Sequence, residues 1–290
     1  MLKIGFADWY LDNWHCNEYP GFLRAAIAAR GLDAAVTHAC GMHTAPSGMT
    51  SAQWCQAHDV IECGSMEALC EAVDAICVIA ADDASTHEAV SRLPLASGKP
   101  CFIDKTFAPD RAAAKRMAAH AAAHGTPFFS SSAQRYCQDV IDYKASHPAP
   151  PLFVSTVGPH SLDRYAVHQL EVIEALMGPG IRRLKAFAPG EDVTQLILDY
   201  GGGRMASFMQ TPQPWAEFNF MVTQSGRGTD GRRLVSDDRN FYRNLSNAIL
   251  DFFQTRRPPV DFRETLEIVS VIETARRARR TPDVWLDVPV

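Results

Sequence analysis

The segment from Gly98 to Ser132 constrains the fold of this chain more than any other stretch. Residues 100–103 are a short apolar run, the length of a strand buried on both faces, and the run stops abruptly at Asp104 and Lys105. Residues 106–110 read as a turn, and residues 111–124 as an alanine-rich helix closed by Gly125, where a glycine commonly follows a helix end. A second apolar run, residues 127–129, follows at once. Strand, charged pair, helix and strand make a βαβ unit, which requires parallel pairing. In open parallel sheets ligands bind beyond the carboxyl ends of the strands, where Lys105 would stand. A lysine held there can exchange a proton with a substrate hydroxyl. By residue type alone, a lysine after a strand is more often simply a surface residue.

The pattern before residue 127 repeats this alternation. Residues 2–7, 34–37, 60–62 and 75–80 read as strands, and residues 19–30, 50–58 and 65–72 as helices, the first with Pro20 in its opening turn and Gly31 after its end. Such alternation implies a doubly wound parallel α/β sheet. After about residue 130 the grammar changes. Residues 152–157, 183–187, 193–200, 204–210 and 218–223 read as strands, and residues 200–203, Tyr-Gly-Gly-Gly, as a hairpin turn, so part of this second sheet is antiparallel. Helices are expected at residues 165–177, 240–254 and 264–279, the last with an apolar stripe of Leu266, Val269 and Ile272. Residues 146–151, with Pro148 and Pro150, are the best boundary or crossover segment.

Composition narrows the class. The 290 residues are long for one core and comfortable for two. A net charge of −5 leaves no basic field for nucleic acid. No apolar run reaches the ~18 residues that suggest a membrane span, and the N-terminus lacks a signal-peptide pattern. The eight cysteines all lie in the first half and form no Cys-x-x-Cys pair, which fits buried, reduced thiols in a cytoplasmic protein. His15, Cys16, His38, Cys40 and His43 fit no regular zinc spacing, so no metal is expected. No Gly-x-Ser-x-Gly or P-loop pattern supports a hydrolase or kinase.

Residues 98–108, Gly-Lys-Pro-Cys-Phe-Ile-Asp-Lys-Thr-Phe-Ala, resemble the stretch around the Glu-Lys-Pro motif of the glucose–fructose oxidoreductase / inositol dehydrogenase / rhizopine-catabolism (Gfo/Idh/MocA) family. The resemblance continues in order along nearly the whole chain. Residues 74–81 with His87 beyond are similar to the family's fourth strand and the loop that ends in a histidine. Gln134-Arg135-Tyr136 resembles the segment after its sixth strand. His168-Gln-Leu-Glu171 resembles the second-domain helix with its His-x-x-Asp pattern, Glu171 standing for the aspartate. The chain departs from the pattern at Asp104 (for Glu), Thr106 (for Pro) and Arg164, four residues before His168, where an aspartate is usual.

The resemblance implies a Rossmann-like dinucleotide-binding domain over residues 1–129 and an α+β substrate and oligomerisation domain with an open, largely antiparallel sheet over residues 130–290. It implies hydride transfer between NAD or NADP and a secondary alcohol of a sugar, polyol or related small molecule, with Lys105 and His168 handling the proton. Cofactor contacts are expected from Ala7, Asp8, Trp9, His38, Ala81, Asp82, His87, Asp104 and Lys105, and substrate contacts from Arg135, Asp163 and Arg164. A homodimer or higher homo-oligomer is expected through the second sheet, where Leu196, Leu198, Met205, Phe208, Phe218, Phe220 and Val222 offer more apolar side chains than one helix layer would bury.

The first strand departs from this picture. Dinucleotide sites of this type use Gly-x-Gly-x-x-Gly after strand one, because the backbone must approach a pyrophosphate at a helix N-terminus. Here the stretch reads Ile4-Gly5-Phe6-Ala7-Asp8-Trp9-Tyr10-Leu11-Asp12-Asn13-Trp14-His15, with its glycine inside the strand. With a helix expected only from Tyr19, about ten residues replace a tight turn. Asp8 and Asp12 would oppose a diphosphate unless turned away or paired. Trp9, Trp14 and Trp215 are expected to fill a domain junction more readily than to stack on a sugar. A catalytically degenerate ligand-binding or regulatory member of the same fold is therefore the alternative reading.

Overall fold

The computed structural model describes residues 1–80, 83–188, 193–211, 219–223, 232–235 and 238–289. Ala81, Asp82, Trp215 and Phe218 lie outside the described residues. Two compact units are present: Met1–Ser131 with Leu245–Asp261, and Ser132–Asn244 with Phe262–Val290.

The first unit is built on strands β1 (Leu2–Asp8), β2 (Ala34–Gly41), β3 (Ile61–Glu62), β4 (Ala75–Val78), β5 (Cys101–Ile103) and β6 (Phe128–Ser130). They form one parallel sheet in the order β3-β2-β1-β4-β5-β6. This is the doubly wound order whose direction of growth reverses between β1 and β4. Its helices are α1 (Trp14–Arg30), α2 (Ser51–Ala57), α3 (Met66–Ala72), α4 (His87–Ser91) and α5 (Arg111–Ala123). The central strands read as apolar runs because both faces are covered: Ile4, Phe6, Ala75, Ile76, Cys77, Val78, Cys101, Phe102 and Ile103 are all fully buried. Gly5 is where α3 lies against β1, since a Cβ there would fall 2.8 Å from Leu69 Cδ1 and 3.1 Å from both Val73 methyls.

Helix α1 differs most from its sequence pattern. It begins at Trp14, five residues earlier than expected, and Pro20 lies inside it rather than in its first turn. Asn13 supplies the reason: it is extended, and its side chain accepts the Cys16 N–H at 3.0 Å. An asparagine cap followed by Trp-His-Cys has no apolar period to announce it. The helix ends as expected at Gly31, whose φ of 60° suits the left-handed closing position.

The second unit carries β7 (Phe153–Gly158), β8 (Arg183–Phe187), β9 (Thr194–Gly201), β10 (Arg204–Gln210), β11 (Asn219–Thr223), β12 (Arg232–Val235) and β13 (Leu286–Asp287), in the order β12-β11-β7-β10-β9-β8-β13. Among the described residues only the β7–β10 pair is parallel. The β9–β10 hairpin turns through Gly201, Gly202 and Gly203, all at positive φ. Helices α6 (Gln138–Ser146), α7 (Leu162–Met177), α8 (Asp238–Thr255) and α9 (Phe262–Ala278) complete the chain, and the second half of α8 belongs to the first unit. Strands β12 and β13 and helix α6 were not legible in the sequence pattern. Helices α7 and α9 pack on one face of the sheet and bury Leu196, Leu198 and Phe208, so these three do not belong to an open face as expected. The opposite face presents Phe153, Val157, Phe187, Ile197, Met205 and Met209, of which Phe187, Met205 and Met209 are exposed.

Two glycine substitutions test this packing. Gly5→Val forces side-chain volume between β1 and α3 and should lower unfolding stability by about 2 kcal/mol or more. Gly21→Ala, inside α1 with nothing within 4 Å of the added methyl, should raise it by about 0.5–1 kcal/mol. Urea unfolding of both variants checks this; a neutral Gly5→Val would show that β1 and α3 are not in close contact.

Candidate functional site

The carboxyl ends of the parallel strands bring most of the expected residues of the first unit to one edge. Ala7 and Asp8 end β1, Ile79 and Ala80 follow β4, and Asp104 and Lys105 follow β5. Ala80 is buried with φ 49°, a left-handed conformation that costs a non-glycine residue roughly 1 kcal/mol.

Asp8 is turned inward. It is fully buried and accepts hydrogen bonds from Asn13 Nδ2 at 2.9 Å, Cys16 Sγ at 3.0 Å and the Tyr10 N–H at 3.3 Å. Burial pushes its pKa up to about 6, against these hydrogen bonds, which pull it down. Asp12 is also engaged: it accepts the Met49 N–H at 2.7 Å and Asn17 Nδ2 at 3.0 Å. Both aspartates therefore hold the turn together instead of facing a ligand. The backbone N–H groups of Leu11 and Asp12 find no acceptor among the described residues.

Asp104 is the electrostatic centre of this edge. It is fully buried, accepts from the Tyr19 hydroxyl at 3.1 Å, and lies 2.7 Å from His15 Nδ1. Burial works to raise its pKa, but His15 and Lys105 outweigh it and hold the carboxylate below its ordinary range. His15 stacks on Tyr19 with ring centroids 5.7 Å apart. Neither His15 nor Tyr19 was expected here; the signal was present in their four-residue spacing, which puts both on one face of α1. Lys105 follows Asp104 and is 5% exposed, and its peptide bond to Thr106 is cis. His87, the first residue of α4, is fully buried, and burial drives its pKa down to about 4, so the imidazole is neutral.

His38 lies three residues before the end of β2, its Nδ1 2.8 Å from Thr37 Oγ1, and burial lowers its pKa. The end of β2 is instead Gly41, followed by Met42 and His43. The N–H of Met42 bonds the Asp8 carbonyl, that of His43 bonds the Trp9 carbonyl, and the His43 ring packs on Trp9 at 4.2 Å. A cavity of about 430 Å³ opens beside Met42.

In the second unit His168 lies in α7 with its Nδ1 2.6 Å from Ser132 Oγ. Arg135 is buried between two carboxylates, Glu171 at 2.5 Å and Glu264 at 2.7 Å. Burial opposes its charge, but the two acids keep it firmly protonated. Asp163 is exposed and pairs with Arg276, and Arg164 is exposed beside it. Ser132, three residues before Arg135, was missed because a serine after a strand carries no pattern of its own.

An implied dinucleotide can be tested against these residues. The strand order supplies the crevice at the point of reversal, the unbonded Leu11 and Asp12 N–H groups can meet anionic oxygen ahead of α1, and the cavity beside Met42 can take a planar base. The residues fit, with a capped asparagine turn replacing the glycine-rich one.

No protein-family model matches the chain, and no curated protein does. Solved structures do. A probable dehydrogenase from Thermotoga maritima superposes with a TM-score of 0.81 at 12% identity, covering 99% of both chains. UDP-N-acetylglucosamine 3-dehydrogenase GnnA from Acidithiobacillus ferrooxidans gives 0.79 at 13% identity, over 97% of this chain and 98% of that one. The WlbA dehydrogenase from Bordetella pertussis, solved with NADH and UDP-GlcNAcA, gives 0.74 at 16% identity, over 100% and 99%. At these identities the likeness establishes the fold: the chain has the two-unit architecture of these dehydrogenases.

The buried Asp8 predicts a pH dependence. Its folded pKa of about 6 lies above the ordinary 3.8, so the native state holds the proton more tightly than the unfolded chain. Its contribution is most favourable below about pH 4 and is lost as pH rises to about 6, by on the order of 3 kcal/mol. Asp8→Asn should therefore show a stability gain over the parent that grows across this interval in urea titrations; a constant difference would mean that Asp8 is not titrating in its buried state.

Proposed function

We propose that the protein is an NAD(P)-dependent dehydrogenase of the Gfo/Idh/MocA type, acting on a secondary alcohol of a sugar, polyol or related small polar molecule. One observation carries this reading: Lys105 is buried immediately past the carboxyl end of β5, next to an Asp104 held by His15 and Tyr19. Two of the similar structures add support, since GnnA is a sugar-nucleotide dehydrogenase and the Bordetella pertussis WlbA was solved with NADH and UDP-GlcNAcA.

A bound nicotinamide dinucleotide supplies the hydride acceptor or donor, and the protein's task is to orient and to move the proton. Lys105 takes the proton from the substrate hydroxyl on oxidation and returns it on reduction. Asp104, kept ionised, stabilises the ammonium that forms when Lys105 takes that proton. His168 is proposed as the second proton-handling group, its ring oriented through Ser132. Ala7, Trp9, His87 and Asp104 are proposed on the cofactor side, and Asp163 and Arg164 on the substrate side. Arg135 is proposed to act on the substrate side by fixing α7 through Glu171, since its guanidinium is already held by two acids.

The capped, glycine-free turn supports the alternative of a ligand-binding protein without turnover. Lys105→Ala separates the two. It should lower turnover by roughly a hundredfold or more while leaving dinucleotide affinity within a few fold, and Lys105→Arg should not rescue it, because guanidinium keeps its proton. Near-normal turnover in either variant would remove the lysine from the mechanism; no turnover of any polyol or sugar by the parent protein, with a dinucleotide bound, would favour the alternative.

The face of the second sheet opposite α7 and α9, where Phe187, Met205 and Met209 are exposed among the described residues, is proposed to pair with another copy of the chain, because an apolar sheet face in water invites association. Light scattering at micromolar concentration should exceed the 31.9 kDa monomer mass, and Phe187→Glu with Met209→Glu should return it to that value. A monomeric parent would contradict the pairing.

A further inference from the structure

A cavity lies beside the end of β2. Met42, Met66, Ala89 and Leu93 line it together with the polar Ser85, Glu88 and Arg92. Met42 comes from the end of β2, Met66 from the start of α3, and the others from the segment after β4. Two thioethers and two aliphatic side chains in one lining suit a flat heteroaromatic ring.

The charge on that slot is one-sided. A protein that selects NAD commonly places an Asp or Glu at the end of the second strand to accept the adenosine ribose 2′-hydroxyl, an arrangement that also repels a 2′-phosphate. Here no carboxylate occurs anywhere from Ala34 to His58, and β2 runs into Gly41, Met42 and His43. The one acid lining the cavity, Glu88, is held by Arg116 through two hydrogen bonds of 2.8 and 2.7 Å. Arg92 makes no ion pair among the described residues, although it stands one helical turn from Glu88. The lining therefore offers an exposed guanidinium, Arg92, while its one acid, Glu88, is already paired with Arg116, and a guanidinium is the side chain best shaped to hold a phosphate.

We propose that this cavity receives the adenosine end of the dinucleotide and selects its 2′-phosphorylated form, NADP(H), with Arg92 as the phosphate's partner. The proposal rests on the dinucleotide reading above and deepens it. The selection comes from the β2 end and the helix after β4, not from the turn that replaces the glycine-rich loop.

Binding is measured by calorimetry on the full chain, with NADPH and NADH and with the fragments 2′,5′-ADP and 5′-AMP, so that no turnover is needed. NADPH should bind at least tenfold tighter than NADH, and 2′,5′-ADP tighter than 5′-AMP by a similar factor. Arg92→Gln, at an exposed position, should weaken NADPH and 2′,5′-ADP about tenfold while NADH stays within twofold. Met42→Asp, also exposed, should reverse the preference. NADH binding as tightly as NADPH would overturn this proposal and leave the dinucleotide reading intact. An unchanged NADPH affinity in Arg92→Gln would overturn the role of Arg92. Binding of neither dinucleotide at millimolar concentration would overturn both this proposal and the reading it rests on.

Discussion

The candidate site depends on a carboxylate that has been taken out of water. An isolated buried Asp104 would be unfavourable by several kcal/mol, and it persists because His15 and Tyr19 reach it from consecutive turns of α1 while Lys105 follows it in the chain. This contact ties the start of α1, which follows β1, to the end of β5, two strands along the sheet. It also sets where Lys105 begins. Removing His15 would leave a buried charge short of a partner, so the helix start, the aspartate and the lysine form one unit.

The same economy appears at the end of β1. A glycine-rich turn lets the backbone itself approach an anion. This chain uses side chains instead: Asn13 caps α1, Asp8 accepts from Asn13 and Cys16, and Asp12 ties the turn to Met49. The cost is an aspartate whose pKa is raised to about 6 by burial. The gain is an early helix start, which is what carries His15 to Asp104.

The second unit is held by acids in its interior. Arg135 joins Glu171 on α7 to Glu264 on α9. Nearby on the same helices, Glu174 is buried with its pKa pushed well up by burial and by Glu267, which accepts the Gly180 and Ile181 N–H groups. A buried acid of this kind is stable when neutral. The helices that carry His168 are thus fixed by ionic and proton-sharing contacts as well as by the apolar layer over Leu196, Leu198 and Phe208.

The alternation of short apolar runs with amphipathic segments determined the parallel sheet, because strands buried on both faces must be apolar throughout and must be joined by helices. The position of Lys105 followed from the same logic, as did the hairpin at Gly201–Gly203, where three successive positive φ values demand glycine. The sequence pattern did not carry the start of α1, since an asparagine cap ahead of Trp-His-Cys has neither period nor charge signature. Nor did it carry the return of Leu245–Asp261 to the first unit, or the inward turn of Asp8, or the pairing of His15 with Asp104 some ninety residues away. These were decided by tertiary structure, because burial alone selects which polar groups must meet, and local sequence cannot report which distant partner lies within hydrogen-bonding reach.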